Sequence, residues 1–411
     1  MQFFQKKILD NGLVVIGVPS KRTSMACVSV LYKVGSRNEV AGKTGIAHLF
    51  EHLMFSNCGE GIDFDELMQS AGGDSNAFTT PDTTQYYNVA PSAQLELMID
   101  LESRRMSGFH IKKKEFRIQQ RVVIEEFSEN YLNNPYGMFS HQLMPLAYQV
   151  HPYQWPVIGR SREEIGQLEY SDAMDFHQKY YTPDNAVIVI SGNIDVDQAF
   201  LLTDRYFSPI PSGHSFRPAI ATEPEQLESR KLTIPGPYPE EALYIAFHSS
   251  GRDCKDFYAL DFATDILAEG RSSLLYSRLK KEQMLFSSLD CYMTTTFDPG
   301  LIIFEGKLNK GVGIERGENA FLELLQSVKE NPVSSYLFEK YMNKNESAYL
   351  ASQIGVVSQA LNFSYSEWLG DVNLVNTELQ RYREIQTGDI QASFNKYFLP
   401  ERANYLYYPF G

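Results

Sequence analysis

The stretch Gly45-Ile-Ala-His-Leu-Phe-Glu-His-Leu-Met-Phe55 sets two histidines and a glutamate within five residues of an otherwise apolar segment. On a helix of about 3.6 residues per turn, His48, Glu51, His52 and Phe55 share one face, and Ile46, Leu49, Phe50 and Leu53 form the opposite stripe. The i, i+4 spacing aims both imidazoles at one point, where they can hold a tetrahedral zinc ion. Glu51 can approach a water at that ion without ligating it. This H-x-x-E-H pattern points to metal-assisted hydrolysis, with His48 and His52 as ligands and Glu51 as general base. The alternative is a pair of core histidines bonded to carbonyls, with Glu51 as their charge partner.

A hydrolytic zinc site takes three protein ligands and leaves one position open. A third ligand must therefore come from outside the motif. The acidic candidates are Glu125, Glu126 and Glu129, in Gln119-Gln-Arg-Val-Val-Ile-Glu-Glu-Phe-Ser-Glu-Asn130, and periodicity leaves all three open. Cys58 reads as a buried thiol rather than a ligand. Gly270-Arg-Ser-Ser273 follows no clear strand and lacks the lysine of a P-loop, so it is a weak phosphate signal.

The elements that must position these groups are visible in the hydrophobic pattern. Residues 7–16 read as two strands around the turn Asp10-Asn-Gly12, residues 26–33 and 84–90 as further strands, and the apolar run 186–190 as a buried one. Helical spacing covers 63–71, 95–106 and 114–132, the last of which bears the acidic candidates.

Periodicity lapses between Phe207 and Thr233, where proline-bearing pairs follow one another. This gives an N-terminal domain over 1–210, a linker over 211–232 and a C-terminal domain over 233–411. Beyond the linker the order strand, loop, helix recurs at 241–247, 249–253 and 257–267. Laying Arg37 on Arg252, an offset of 215, sets Ala263, Ile266 and Leu267 opposite His48, Glu51 and His52. The halves read as related, with the ionisable triplet in the first alone. The expected fold class is α+β, with two structurally similar domains, each a mostly antiparallel sheet with helices packed on one face.

With 37 basic and 51 acidic residues the formal net charge is −14, which argues against a general affinity for nucleic acid or anionic membrane. The basic run Lys112-Lys-Lys114 reads as a solvated surface. Four widely spaced cysteines read as free thiols of a reducing compartment. No run of eighteen apolar residues occurs, so no membrane span is expected. The expected location is cytoplasmic, or periplasmic where a leader has been removed.

Several motifs together resemble the pitrilysin and mitochondrial-processing-peptidase family, the inverted zincins. They are His48-Leu-Phe-Glu-His52, Glu125-Glu126 after Val-Val-Ile, Gly72-Gly-Asp-Ser-Asn-Ala-Phe-Thr-Thr80, His151-Pro-Tyr153 and Tyr181-Thr-Pro-Asp-Asn185. Gly270-Arg-Ser-Ser-Leu-Leu-Tyr276 is similar to the family's second-half signature. The resemblance implies a zinc-dependent endopeptidase with one zinc per chain, ligated by His48, His52 and Glu126. It implies that Asn76, Ala77 and Phe78 lie along bound peptide at a sheet edge. Gln119 stands where the family often has a further glutamate. Related peptidases supply an arginine and a tyrosine, seven apart, from the second half, and here Lys280 and Ser287 stand in those places. The departure is similar to bacterial members that work as two related chains. This one would be the zinc-bearing subunit, its partner a homologous subunit with the Arg/Tyr pair, or otherwise a second copy of itself. A non-catalytic scaffold of the same fold is the reading from another class, and the intact ligands and base weigh against it.

Overall fold

The computed structural model describes residues 2–59, 62–213 and 218–410. The chain forms two compact units, and each is built on one sheet.

In the first unit the strands are β1 (Gln5–Ile8), β2 (Val14–Pro19), β3 (Met25–Tyr32), β4 (Asp74–Thr79), β5 (Thr84–Pro91) and β6 (Ala186–Gly192), in the order β1-β2-β6-β3-β5-β4. All neighbours are antiparallel except β2 and β6. The turn between β1 and β2 closes at Gly12, whose φ of +89° is open to glycine at little cost. Alternate residues face opposite sides. Ile16, Val18, Val187 and Val189 pack with Ala360 and Phe363 of the helix Val356–Trp368. Gly17, pointing the other way, meets Val196 at the start of the helix Val196–Phe207. Every residue of β6 is buried, which explains why its sequence is an unbroken apolar run instead of an alternation.

Three helices frame the candidate site: α1 (Ile46–Leu53), α2 (Leu95–Ser107) and α3 (Lys113–Phe127), the last continued by a π-helical turn over Ser128–Leu132.

The second unit repeats the plan. Its strands β7 (Arg230–Thr233), β8 (Ala242–His248), β9 (Phe286–Met293), β10 (Leu301–Leu308) and β11 (Asn404–Tyr408) run in the order β7-β11-β8-β10-β9. This matches β2-β6-β3-β5-β4 strand for strand, including the single parallel pair. Leu243, Ile245 and Phe247 pack against the helix Asp256–Ala268, while Ala242, Tyr244 and Ala246 pack with Leu143 and Ala147 of the helix Phe139–Ala147. Ala263, Ile266 and Leu267, set opposite the ionisable triplet by the repeat, are all completely buried.

The α+β class and the duplication are as expected, and the sheets are mixed with a majority of antiparallel pairs. The helical layer expected on one face is present, and a further helix covers the other. The boundaries need redrawing. The first unit comprises the chain up to Ser128, Pro156–Ile220 and Tyr349–Glu378, and the second comprises Glu129–Trp155, Ala221–Ala348 and the chain from Leu379. Each half of the sequence therefore sends one helix into the other half's unit, which a contiguous division into 1–210 and 233–411 does not capture. The expected linker 211–232 contains the start of β7 and, at 214–217, lies in part outside the described residues. No helix among the described residues is long and apolar enough to cross a membrane.

Candidate metal and catalytic site

Helix α1 is short, at eight residues, and too short to hold itself straight in water. Its buried face, Ile46, Leu49, Phe50 and Leu53, anchors it to the core. Its ends are held by buried ionic groups. The Glu39 carboxylate accepts from the N–H of Gly45 (3.0 Å) and of Ala47 (2.8 Å), satisfying orphan donors where the helix dipole favours an anion. Gly45 has φ +87°, and a Cβ there would lie 2.6 Å from the Ile158 carbonyl oxygen, so both its conformation and its surroundings require glycine. At the other end Arg105 of α2 donates Nε to the Met54 carbonyl at 3.2 Å. Arg105 is fully buried, pairs with the equally buried Glu102 at 3.0 Å, and lies among the rings of Phe55, Phe64 and Tyr86.

The half-buried face of α1 presents His48 and His52, whose ring centroids are 4.9 Å apart. Opposite stands Glu126 of α3, with Oε2 3.4 Å from His52 Nε2 and Oε1 3.8 Å from His48 Nε2. One donor atom from each residue falls within 4.8 Å of the other two, and among the described residues this is the only such group of three or more His, Cys, Asp or Glu. Glu126 is half-buried, whereas Glu125 and Glu129 are exposed. Phe116, Gln120, Val123 and Phe127 form the buried stripe of α3. At about 100° per residue Glu126 flanks that stripe and Glu125 points away from it. Gln119 lies on the same side of α3 as Glu126.

The donors fit zinc. Two ligands about 2.0–2.1 Å from a tetrahedral ion sit roughly 3.4 Å apart, close to the separations between Glu126 and the imidazoles, and two nitrogens with a carboxylate are a usual zinc set. Burial pushes the His48 pKa below its usual value, against the pull of the Glu126 carboxylate, favouring the neutral ring that a ligand must be. The His52 ring holds the Glu126 carboxyl below its usual range, against the opposing effect of burial.

Glu51 projects beside this group, and its Oε2 accepts from the Thr79 hydroxyl at 2.8 Å. Thr79 ends β4, the edge strand of the first sheet. Asn76, Ala77 and Phe78 therefore lie on an edge strand whose last residue bonds the glutamate. The side chains of Asn76 and Phe78 are exposed and that of Ala77 is buried, so Ala77 offers a substrate its backbone alone.

Comparison with known proteins places the chain in a family. Residues 14–161 match the family model Insulinase (Peptidase family M16), and residues 167–345 match the Peptidase M16 inactive domain. A Helicobacter pylori protein named zinc protease PqqE is 30% identical over 404 residues, covering 95% of this chain and 89% of that protein. The chain belongs to peptidase family M16. The crystal structure of a protease from Helicobacter pylori shares its fold with a TM-score of 0.94 at 28% identity, each chain covered in full. A Pseudomonas fluorescens structure described as a peptidase M16 inactive domain gives 0.88 at 17% identity over 99% of this chain and 97% of that one, a likeness of fold alone. All four residues of the site fall within the match to the first M16 model and outside the inactive-domain match.

In this M16 chain Lys280 and Ser287 are neighbours. Lys280 Nζ donates to the Ser287 carbonyl at 2.5 Å, and the Ser287 hydroxyl donates to Glu240 Oε2 at 2.8 Å. The Lys280 ammonium is thus engaged by a backbone carbonyl and the Ser287 hydroxyl by a carboxylate. Sequence reasoning passed over Glu39, Thr79 and the Glu102–Arg105 pair. For the last a signal existed: Glu102 and Arg105 continue the buried stripe of Leu95, Met98 and Ile99 on α2, where paired charges at apolar positions mark a buried ion pair.

Proposed function

We propose that this chain is the zinc-bearing subunit of an endopeptidase that hydrolyses peptides or unfolded segments. The observation that carries the reading is the convergence of His48, His52 and Glu126 beside a glutamate that stands outside that donor group. His48, His52 and Glu126 would hold one zinc. Zinc, when bound, supplies a Lewis acid for the scissile carbonyl and lowers the pKa of water in the open position. Glu51 takes a proton from the attacking water as its oxygen bonds to the carbonyl carbon, and returns that proton to the amine nitrogen as the C–N bond breaks. Asn76, Ala77 and Phe78 hold the substrate as an added strand, which gives affinity through the backbone with little side-chain selectivity. The naming of relatives as zinc proteases supports the same chemistry.

A tetrahedral intermediate needs donors for its oxyanion, and losing one costs about 10²–10³ in turnover. Lys280 lacks the planar fork of arginine, and Ser287 is committed to Glu240. We therefore assign the missing arginine and tyrosine to a homologous partner chain. The experiment is a zinc-loaded cleavage assay on an unstructured peptide, with the chain alone and mixed with such a partner. The mixture is expected to cleave with activity saturating at one to one. Equal rates without the partner would replace the shared site by a homodimer. In the active assembly Glu51→Gln is expected to keep one zinc and lose about 10²-fold or more in kcat. Retained cleavage would remove Glu51 from the mechanism.

A further inference from the structure

We infer that Thr79 is the positioning residue for Glu51 and couples the peptide-binding edge to the general base, an inference that rests on the peptidase reading above. The Thr79 hydroxyl donates to Glu51 Oε2 at 2.8 Å, and both side chains are half-buried. Among the described residues Glu51 Oε1 makes no hydrogen bond. A donor on one oxygen restrains the terminal torsion, which is otherwise broad. Oε1 is thereby left in one place, free to accept a proton.

Thr79 is itself held. The turn that follows it closes through Thr80 N–H to the Thr83 carbonyl at 2.8 Å, with the Thr80 hydroxyl accepting from Thr83 N–H at 2.9 Å. That turn is tied to the loop before α1. Ser36 N–H donates to the Thr80 carbonyl at 3.3 Å, Arg37 N–H to the Pro81 carbonyl at 2.9 Å, and Arg37 pairs with buried Asp82 at 2.9 Å. Glu39 of the same loop caps α1. The path from Glu51 through Thr79, the turn, the loop and Glu39 therefore returns to the helix bearing Glu51. Such a closed ring fixes the Thr79 hydroxyl against α1 far better than a strand end alone would, and threonine's stiff χ1 completes the constraint.

The same strand is the open edge. The N–H groups of Ser75 and Ala77 are taken by the side chains of Asp74 and Asn76, at 2.9 and 2.8 Å. A peptide adding to β4 exchanges these local caps for its own carbonyls and stiffens the strand whose last residue holds the base.

The test compares Thr79→Val, which keeps the shape and removes the donor, with Thr79→Ser, which keeps the donor. Each is measured in the assembly in which the unmodified chain cleaves an unstructured peptide. Thr79→Val is expected to bind one zinc, to give an unaltered absorption spectrum with cobalt(II) in zinc's place, and to keep KM while kcat falls about 10–100-fold. Thr79→Ser is expected to restore most of that loss. An unchanged kcat in Thr79→Val, a loss that serine does not restore, or a parallel loss of metal affinity overturns the inference. If the unmodified zinc-loaded chain cleaves nothing, alone or mixed with a homologous chain, the peptidase reading fails and takes this inference with it.

Discussion

At the scale of single residues, the choice between Glu125 and Glu126 is the sharpest claim. Their side chains leave α3 in different directions, one towards the histidines and one into solvent. Glu126→Ala is therefore expected to abolish stoichiometric zinc binding, and Glu125→Ala to leave it unchanged, as measured by metal analysis after dialysis against free zinc. The reverse result would mean that α3 is rotated from the position described. The triplet on α1 was legible because catalysis forces ionisable residues onto a fixed helical spacing. The proposed third ligand was less so, because it comes from a remote element and its neighbours are also acidic. Resemblance chose Glu126. Taking Val123 and Phe127 as the buried stripe would have led to the same residue, since Glu126 flanks that stripe.

At the scale of elements, α1 is steadied by what meets its ends. Removing one member of a buried ion pair leaves the other charge uncompensated, at a typical cost of about 3–5 kcal/mol. Arg105→Met is expected to destabilise by that order, because Glu102 remains fully buried without its cation. Adding Glu102→Gln to Arg105→Met is expected to recover part of the loss. Denaturant unfolding of the two variants against the unmodified chain decides it, and equal midpoints for Arg105→Met and the unmodified chain would show that the pair contributes nothing. Strands and helices were read correctly where burial is one-sided or where a strand is buried on both faces, as in β6. What the pattern did not disclose was the partner of each helix. The amphipathic spacing of Phe139–Ala147 is satisfied by any apolar surface, and nothing local states that this surface is the second sheet.

At the scale of the molecule, each sheet is completed by a helix encoded in the other half of the sequence. Expression of residues 1–210 alone leaves Val14, Ile16, Val18, Val187 and Val189 without Ala360 and Phe363, an apolar face that favours association. The fragment is expected to be aggregated in size-exclusion chromatography, and fusing residues 349–378 to it is expected to restore a monodisperse species. A soluble, cooperatively unfolding fragment 1–210 would show that the added helix is dispensable. The same arrangement governs what happens on the ribosome. β6 is finished at Gly192, but its covering helix ends at Trp368. At about 5–20 residues per second, roughly 10–35 seconds of synthesis separate the two. Through that interval the nascent chain displays one bare apolar side of its first sheet, and that side is covered only once the helix Val356–Trp368 has been made.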